Sequence, residues 1–347
     1  MPKGLSANLD FLRAVAVLLV LAQHLTRRGL GESATWVPTS YLGLFGVLLF
    51  FVHTSLVLMY SLERSGLRGV GLAKDFYIRR FFRIYPLSTL AIAAALILHL
   101  DSNVNGIPGL SHGELPSVKS TIAQFLLMQN LFHIKSIVNV LWSLPFEVQM
   151  YLFLPFLFVW ARRKRVLWPL LALWATSMVA AWAQPQFWWL GRAPLLRFVP
   201  CFLPGIIAFT LPHTPRLRSF VWPFFIGGLI AAYTLRPGED TGRVLCLLLG
   251  LGIPFFQEIQ NQKLRSISHQ IAKYSYGIYL SHQFCIWLAL GVLAGYAFWM
   301  RLVVLVSSLV LIPIALYHGL EKPMIDVGVR LAARKSEKAA VALPVAA

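Results

Sequence analysis

Apolar runs of membrane length alternate along this chain with short basic connections. Runs near 18 or more residues with almost no charge predict membrane-spanning helices. The pattern places spans at 9–26, 40–61, 84–101, 141–160, 166–183, 197–211, 219–235, 244–260, 271–296 and 301–320. A further piece, "STIAQFLLMQNLFHI" at 120–134, falls short of the ~20 residues a crossing needs. Charge arbitrates its role. With ten spans and both termini cytoplasmic, 21 of the 31 Lys and Arg lie on the inner side and nine on the outer, with Arg13 inside a span. This asymmetry obeys the positive-inside rule. If 120–134 crossed, the cluster "ARRKR" at 161–165 would move outside. The segment therefore reads as re-entrant or interfacial. The fold class is all-α, a polytopic membrane helical bundle.

Composition adds two exclusions. The chain is 347 residues long, 58% hydrophobic and 13% charged, where soluble domains carry about 25% charged residues. The helices leave little room for a separate soluble domain. The net charge of +18 would suggest nucleic acid in a soluble protein, but much of the surplus is absorbed by the inner loops. Cys201, Cys246 and Cys285 fall inside apolar runs at spacings that match no zinc site or disulfide framework. The start lacks a cleavable signal, so the first segment is expected to be a retained helix. Residues 323–347 read as a short, basic, then Ala-rich cytoplasmic tail.

Polar residues inside the apolar runs are the candidates for chemistry. Arg13 and His24 stand eleven residues apart in "RAVAVLLVLAQH". On a helix they share a face, about 16 Å apart along the axis. They must meet different groups or different parts of one long ligand. A boundary arginine plus a hydrogen-bonded core histidine is the plainer alternative. In "DFYIRRFFRIYPL" (75–87), Arg79, Arg80 and Arg83 are interleaved with aromatics. Arginine forks suit phosphate, although an anchor for anionic lipid heads needs no more than this. In "LWSLPFEVQMYLFLP" (141–155), Ser143, Glu147 and Tyr151 form one polar stripe at four-residue spacing. A carboxylate at that depth faces the bundle interior or a wet cavity; its plainer role is a buried pair made for packing. His53 and Thr54 interrupt the second span, and Ser281 and His282 the ninth. Such histidines are more often satisfied core residues than catalysts. Asp10 is positioned to cap the first span. Glu321 and Lys322, before Pro323, read as a local interfacial pair. The sequence contains no Walker A loop, H-E-x-x-H, G-x-S-x-G, dinucleotide fingerprint or Cys/His metal cluster.

Taken in order, "LDFLRAVAVLLVLAQH", "RRFFRIYP", "LWSLPFEVQMYL", "YSYGIYLSH" and the late "EKP" resemble the acyltransferase family 3 membrane proteins along nearly the whole chain. That family includes bacterial O-acetyltransferases that modify surface polysaccharides. The resemblance implies a membrane acyltransferase domain over 1–322 in the cell inner membrane. It also implies acyl-CoA, most often acetyl-CoA, as a cytoplasmic co-substrate and a saccharide or glycolipid hydroxyl as acceptor. No permanently bound cofactor or metal is implied. Under it, Arg79, Arg80 and Arg83 hold the CoA phosphates and the pantetheine arm passes Arg13. His24 is then the general base, with Glu147 orienting a basic group or lining the acceptor cavity. Ser143, Tyr151 and His282 are the substrate-contacting candidates. One departure is "GVLLFFVHTS": Leu48 stands where members often have Asp, and His53, Thr54 and Ser55 replace a small-residue ending. The chain also has no room for the extracytoplasmic hydrolase-like domain fused to some members, so a separate partner protein either completes the transfer or is not needed. Intramembrane Arg, Glu and His also mark transport paths, which makes a transporter or exporter the rival class. The paired broken helices of secondary transporters are not evident.

Overall fold

The computed structural model describes residues 6–29, 41–98, 100 and 116–341, except the side chains of 28, 29, 189 and 334–341. Position 40 of the second predicted span, 99 and 101 of the third, and 342–347 of the predicted tail lie outside these residues. The described chain is mainly helical, with no strands beyond one isolated bridge between Leu217 and Phe256 among the described residues. Its elements are α1 (Ala7–Gly29), α2 (Leu42–Ser65), α3 (Gly69–Ile97), α4 (Val118–Phe125), α5 (Leu144–Ala161), α6 (Leu167–Ala183), the single turn α7 (Trp188–Gly191), α8 (Val199–Thr210), α9 (Val221–Leu235), α10 (Glu239–Gly252), α11 (Gln262–Trp287), α12 (Phe298–Leu316) and α13 (Lys322–Val341). In hydrocarbon every backbone N–H and C=O must be satisfied within the protein, which leaves the helix as the default form. Pro86, Pro155, Pro204 and Pro313 all sit inside helices, as membrane helices tolerate.

Among the described residues, five helices are long and apolar enough to cross a membrane: α1, α2, α3, α5 with the turn before it, and α12 with its continuation. Three shorter apolar helices, α6, α8 and α9, join them. The predicted eighth span, 244–260, is instead the 14-residue α10 followed by an irregular strap. The strap lies across the start of α1. Ser6 Oγ donates to Glu258 Oε1 at 2.7 Å, the Asn8 amide N–H donates to Glu258 Oε2 at 3.1 Å, and Asn8 Nδ2 donates to the Gln257 carbonyl at 3.1 Å. The side chain that caps α1 is therefore Ser6, which accepts from the Leu9 N–H. Asp10, expected as the cap, instead meets His269 Nδ1 at 2.9 Å.

α2 forms the centre and α12 the rim: 72% of the apolar window of α2 is buried, against 17% for that of α12. Glycines allow helices to approach α2 closely. A Cβ on Gly205 of α8 would lie 2.1 Å from Ser55 Oγ and 2.3 Å from the Val52 carbonyl oxygen. Ser55 Oγ uses that proximity to donate to the Phe202 carbonyl at 2.7 Å. Phe153, Phe156, Trp168, Phe224 and Leu311 remain exposed on the outside, where lipid makes that placement favourable.

Two further expectations change. The arginine motif does not precede the third helix but lies in the middle of it, because α3 begins fifteen residues before the predicted 84. The segment 120–134, expected not to cross, holds the end of α4 and a 3-10 turn at Gln129–Phe132, too short to cross. Buried Gln124 and Gln129 tie it down by donating to the carbonyls of Lys135 and Leu141, at 2.6 and 3.3 Å. The segment from Lys322, read as a tail, is helical to Val341 and packs on α3, with Gly328 against Phe82 and Ala332 buried.

Candidate active site

α1 and α11 pack side by side in the same direction: Asp10 meets His269, Arg13 meets Ser275 and His24 meets His282. A cavity enclosing about 710 Å³, its open mouth included, lies beside this seam and is walled by α1, α2, α3, α5 and α11. Arg13, Arg80, Arg83, Ser143, Glu147 and Tyr151 all line it. The helical spacing explains how each residue arrives. Arg80 and Arg83 are three apart on α3, and the stripe Ser143–Glu147–Tyr151 begins at the residue before α5, where Pro145 starts the helix without losing an intrahelical bond.

Arg13 and Arg83 are held by partners on other helices or turns, Glu147 and Arg79 by partners on their own helices. Arg13 Nε donates to Ser275 Oγ at 2.6 Å, and the Ser275 hydroxyl donates in turn to the Ala272 carbonyl at 2.8 Å. Arg83 Nη1 donates to Glu321 Oε1, and the guanidinium lies 5.7 Å from the centre of the Tyr276 ring. Tyr151 donates to Glu147 Oε1. Arg80 Nε and Glu321 Oε2 are buried without a hydrogen-bond partner. Glu321 and Lys322 are thus not a local pair. Glu321 turns inward to Arg83 from the π-helical turn Tyr317–Glu321, while Lys322 reaches Asp326 at 3.2 Å. Such π turns recur at functional sites because they re-aim a side chain that a regular helix would point elsewhere. Arg79 departs from its neighbours: it pairs with Asp75 at 2.9 Å, is 37% exposed, and does not line the cavity.

His24 and His282 lie past the cavity along the same seam. Neither lines it, and their ring centroids are 5.0 Å apart. Tyr279 connects the two regions. It lines the cavity, and its ring is 6.3 Å from that of His282. Tyr279 Oη donates to the Val140 carbonyl at 2.7 Å, so Ser143 Oγ is the donor in the 2.7 Å Ser143–Tyr279 bond. Of the lining residues, Ser275, Tyr276 and Tyr279 belong to a stripe on α11 that ends at His282. His53 also lines the cavity, from α2. Glu321 stands in the "EKP" piece of the family resemblance, but its own segment gave no sign that it reaches inward to Arg83. Among the described residues, no group of three or more His, Cys, Asp or Glu could hold a metal ion.

Chemically, the arrangement offers a buried, arginine-rich chamber suited to an anion and, one step along the seam, two imidazoles suited to proton transfer. Comparison with known proteins agrees with a transferase. Over 235 residues, 62% of this chain, it is 26% identical to the peptidoglycan O-acetyltransferase OatA of Listeria monocytogenes serovar 1/2a. Over 169 residues, 44% of the chain, it is 29% identical to a Staphylococcus aureus (strain COL) protein named as an O-acetyltransferase. The matched stretches are 34% and 24% of those relatives, so the chain spans well under half of their length. No solved structure matches it. Residues 6–318 match the acyltransferase domain family model, nearly end to end, and the chain belongs to that family.

Proposed function

We propose that this protein is a multi-pass O-acyltransferase of the inner membrane, with about ten spans and cytoplasmic termini. It moves an acyl group, acetyl in the first instance, from cytoplasmic acyl-CoA to a hydroxyl of an extracytoplasmic or lipid-linked saccharide. The observation that carries the reading is the arginine-lined cavity beside the α1–α11 seam, with His24 further along that seam. Family membership and the two O-acetyltransferase relatives support the reaction class.

In this scheme Arg80 and Arg83 hold the phosphates of the donor. Arg80 has an unpartnered Nε to offer, and Arg83 exchanges Glu321 for phosphate. Arg79, committed to Asp75, contributes only to the field. The pantetheine arm runs past Arg13 toward His24, about 16 Å along α1. The acceptor oxygen attacks the thioester carbonyl as its proton passes to His24 Nε2. The C–O bond forms, the C–S bond breaks, and the proton leaves with the CoA thiolate as free thiol. The tautomer fits this role. His24 Nδ1 lies 2.8 Å from the Val20 carbonyl, which can only accept, so the neutral ring carries its lone pair on Nε2. Glu147 and Tyr151 line the chamber beside Arg80 and Arg83, and Ser143 holds the cavity-facing Tyr279.

The test is acetyl transfer from labelled acetyl-CoA to saccharide by purified protein in detergent. Donor-dependent ester, lost in His24→Ala at equal protein, is the expected result. Full transfer by His24→Ala would overturn the mechanism. A wild-type protein that moves solute but makes no ester would replace the enzyme with a transporter.

A further inference from the structure

His53 is 4% exposed, and its ring makes no hydrogen bond among the described residues. It lines the cavity from α2, and so does Thr54 beside it. The α2 wall on either side of this polar pair is apolar: Val47 and Phe50 on one side, Val57 and Leu58 on the other. A buried polar ring without a partner is rare and calls for an explanation. The packing of α1 on α2 sets its depth. A Cβ on Gly43 would meet Gln23, and one on Gly46 would meet Ala16, Leu19 and Val20, so the two helices run antiparallel. Seven residues beyond Gly46, His53 stands level with Leu12 and Arg13 of α1. The Arg13 charge acts on the ring, as that level requires. Toward His24 the α2 wall continues as Phe50 and Val47.

The arginines of the cavity suit phosphate. An imidazole suits a different group. A neutral ring has one donor and one acceptor, which match an uncharged amide or hydroxyl. The pantetheine arm of CoA carries such groups along a thin flexible chain. In an apolar passage they lose their water and need hydrogen bonds from the wall. Resting on the acyl-CoA reading above, we propose that His53 is a donor-binding residue: its imidazole hydrogen-bonds an amide or the hydroxyl of the pantetheine arm where the arm passes Arg13. Thr54 offers a second hydroxyl at the same level. Phe50 and Val47, further toward His24, have no hydrogen-bonding side chains to offer. The contact therefore falls on the arm, between the phosphates at Arg80 and Arg83 and the acyl group.

Equilibrium binding to the full-length protein in nanodiscs tests the proposal without turnover. Two probes are compared: CoA, and adenosine 3′,5′-bisphosphate, which keeps a charged nucleotide end but lacks the arm. His53→Leu removes the ring's hydrogen bonds in a site that accepts apolar groups. It is expected to weaken CoA binding about 3- to 10-fold, the worth of a neutral hydrogen bond. Binding of the bisphosphate should stay within about twofold of wild type. His53→Gln, whose amide both donates and accepts, should recover most of the loss. Arg83→Ala, by contrast, should weaken both probes. Unchanged CoA binding in His53→Leu would overturn the proposal. So would an equal loss for both probes, which would mean that His53 acts on the nucleotide end or on the shape of the cavity. No recovery in His53→Gln would overturn it as well. A wild-type protein that binds neither probe would bring down the acyl-CoA reading itself, and this proposal with it.

Discussion

Around Arg13 the α1–α11 seam carries full charges, three arginines against Glu147 and Glu321; Arg13, Arg83 and Glu321 are held by groups from other helices or turns, and Glu147 by Tyr151 of its own helix. Eleven residues further along α1 the same seam carries His24 and His282, each hydrogen-bonded to a carbonyl of its own helix. The first region is tied together by contacts between elements distant in sequence. The second is preset by local geometry, each ring fixed by a carbonyl one turn back on its own helix. Formal charge in a low-dielectric interior is stable only when matched, so the chamber needs long-range partners even at rest. A neutral ring needs none until chemistry charges it. One seam can thus bind an anion at one end and move a proton at the other.

The sharpest break in this comparison is at the histidine end. His24→Ala should cost about 10²- to 10⁴-fold in transfer rate while leaving the thermal unfolding midpoint in nanodiscs nearly unchanged. At the chamber end the effect should appear in stability instead. Glu321→Ala strands Arg83 as a half-buried, unmatched cation, and the loss should fall somewhat below the ~3–5 kcal/mol of a fully buried pair. A chemical denaturation series reads this directly. Arg83→Ala should raise KM for acetyl-CoA about 10- to 100-fold, partly overcome by excess donor. Gly205→Ala, distant from both ends, should destabilise by about 1–3 kcal/mol with KM unchanged, because its Cβ meets the Val52 backbone. Arg79→Ala should be the mildest. Its pair with Asp75 is partly exposed and worth under about 1 kcal/mol, and transfer should stay within about twofold of wild type. A large loss there would bring Arg79 back to the donor phosphates and blur the contrast with Arg83.

Hydropathy and helical periodicity alone carry the all-helical membrane class, the shared face of Arg13 and His24, and the stripe Ser143–Glu147–Tyr151 that enters the cavity. Each is a property of one segment, and a helix maps sequence spacing directly onto a face. Other features needed the tertiary structure. Glu321 reaches Arg83 across 238 residues, and His282 reaches His24 across still more, because α11 runs alongside α1 in the same direction. Ser6 rather than Asp10 caps α1 because a strap 250 residues away delivers Glu258 to that end. Arg79 and Arg80 look alike in sequence, yet one faces Asp75 and the other the cavity. Segment-level periodicity gives a residue its direction from its own helix, whereas partners depend on how whole helices cross. That crossing is decided by the packing of small residues such as Gly46 and Gly205 against neighbouring backbone.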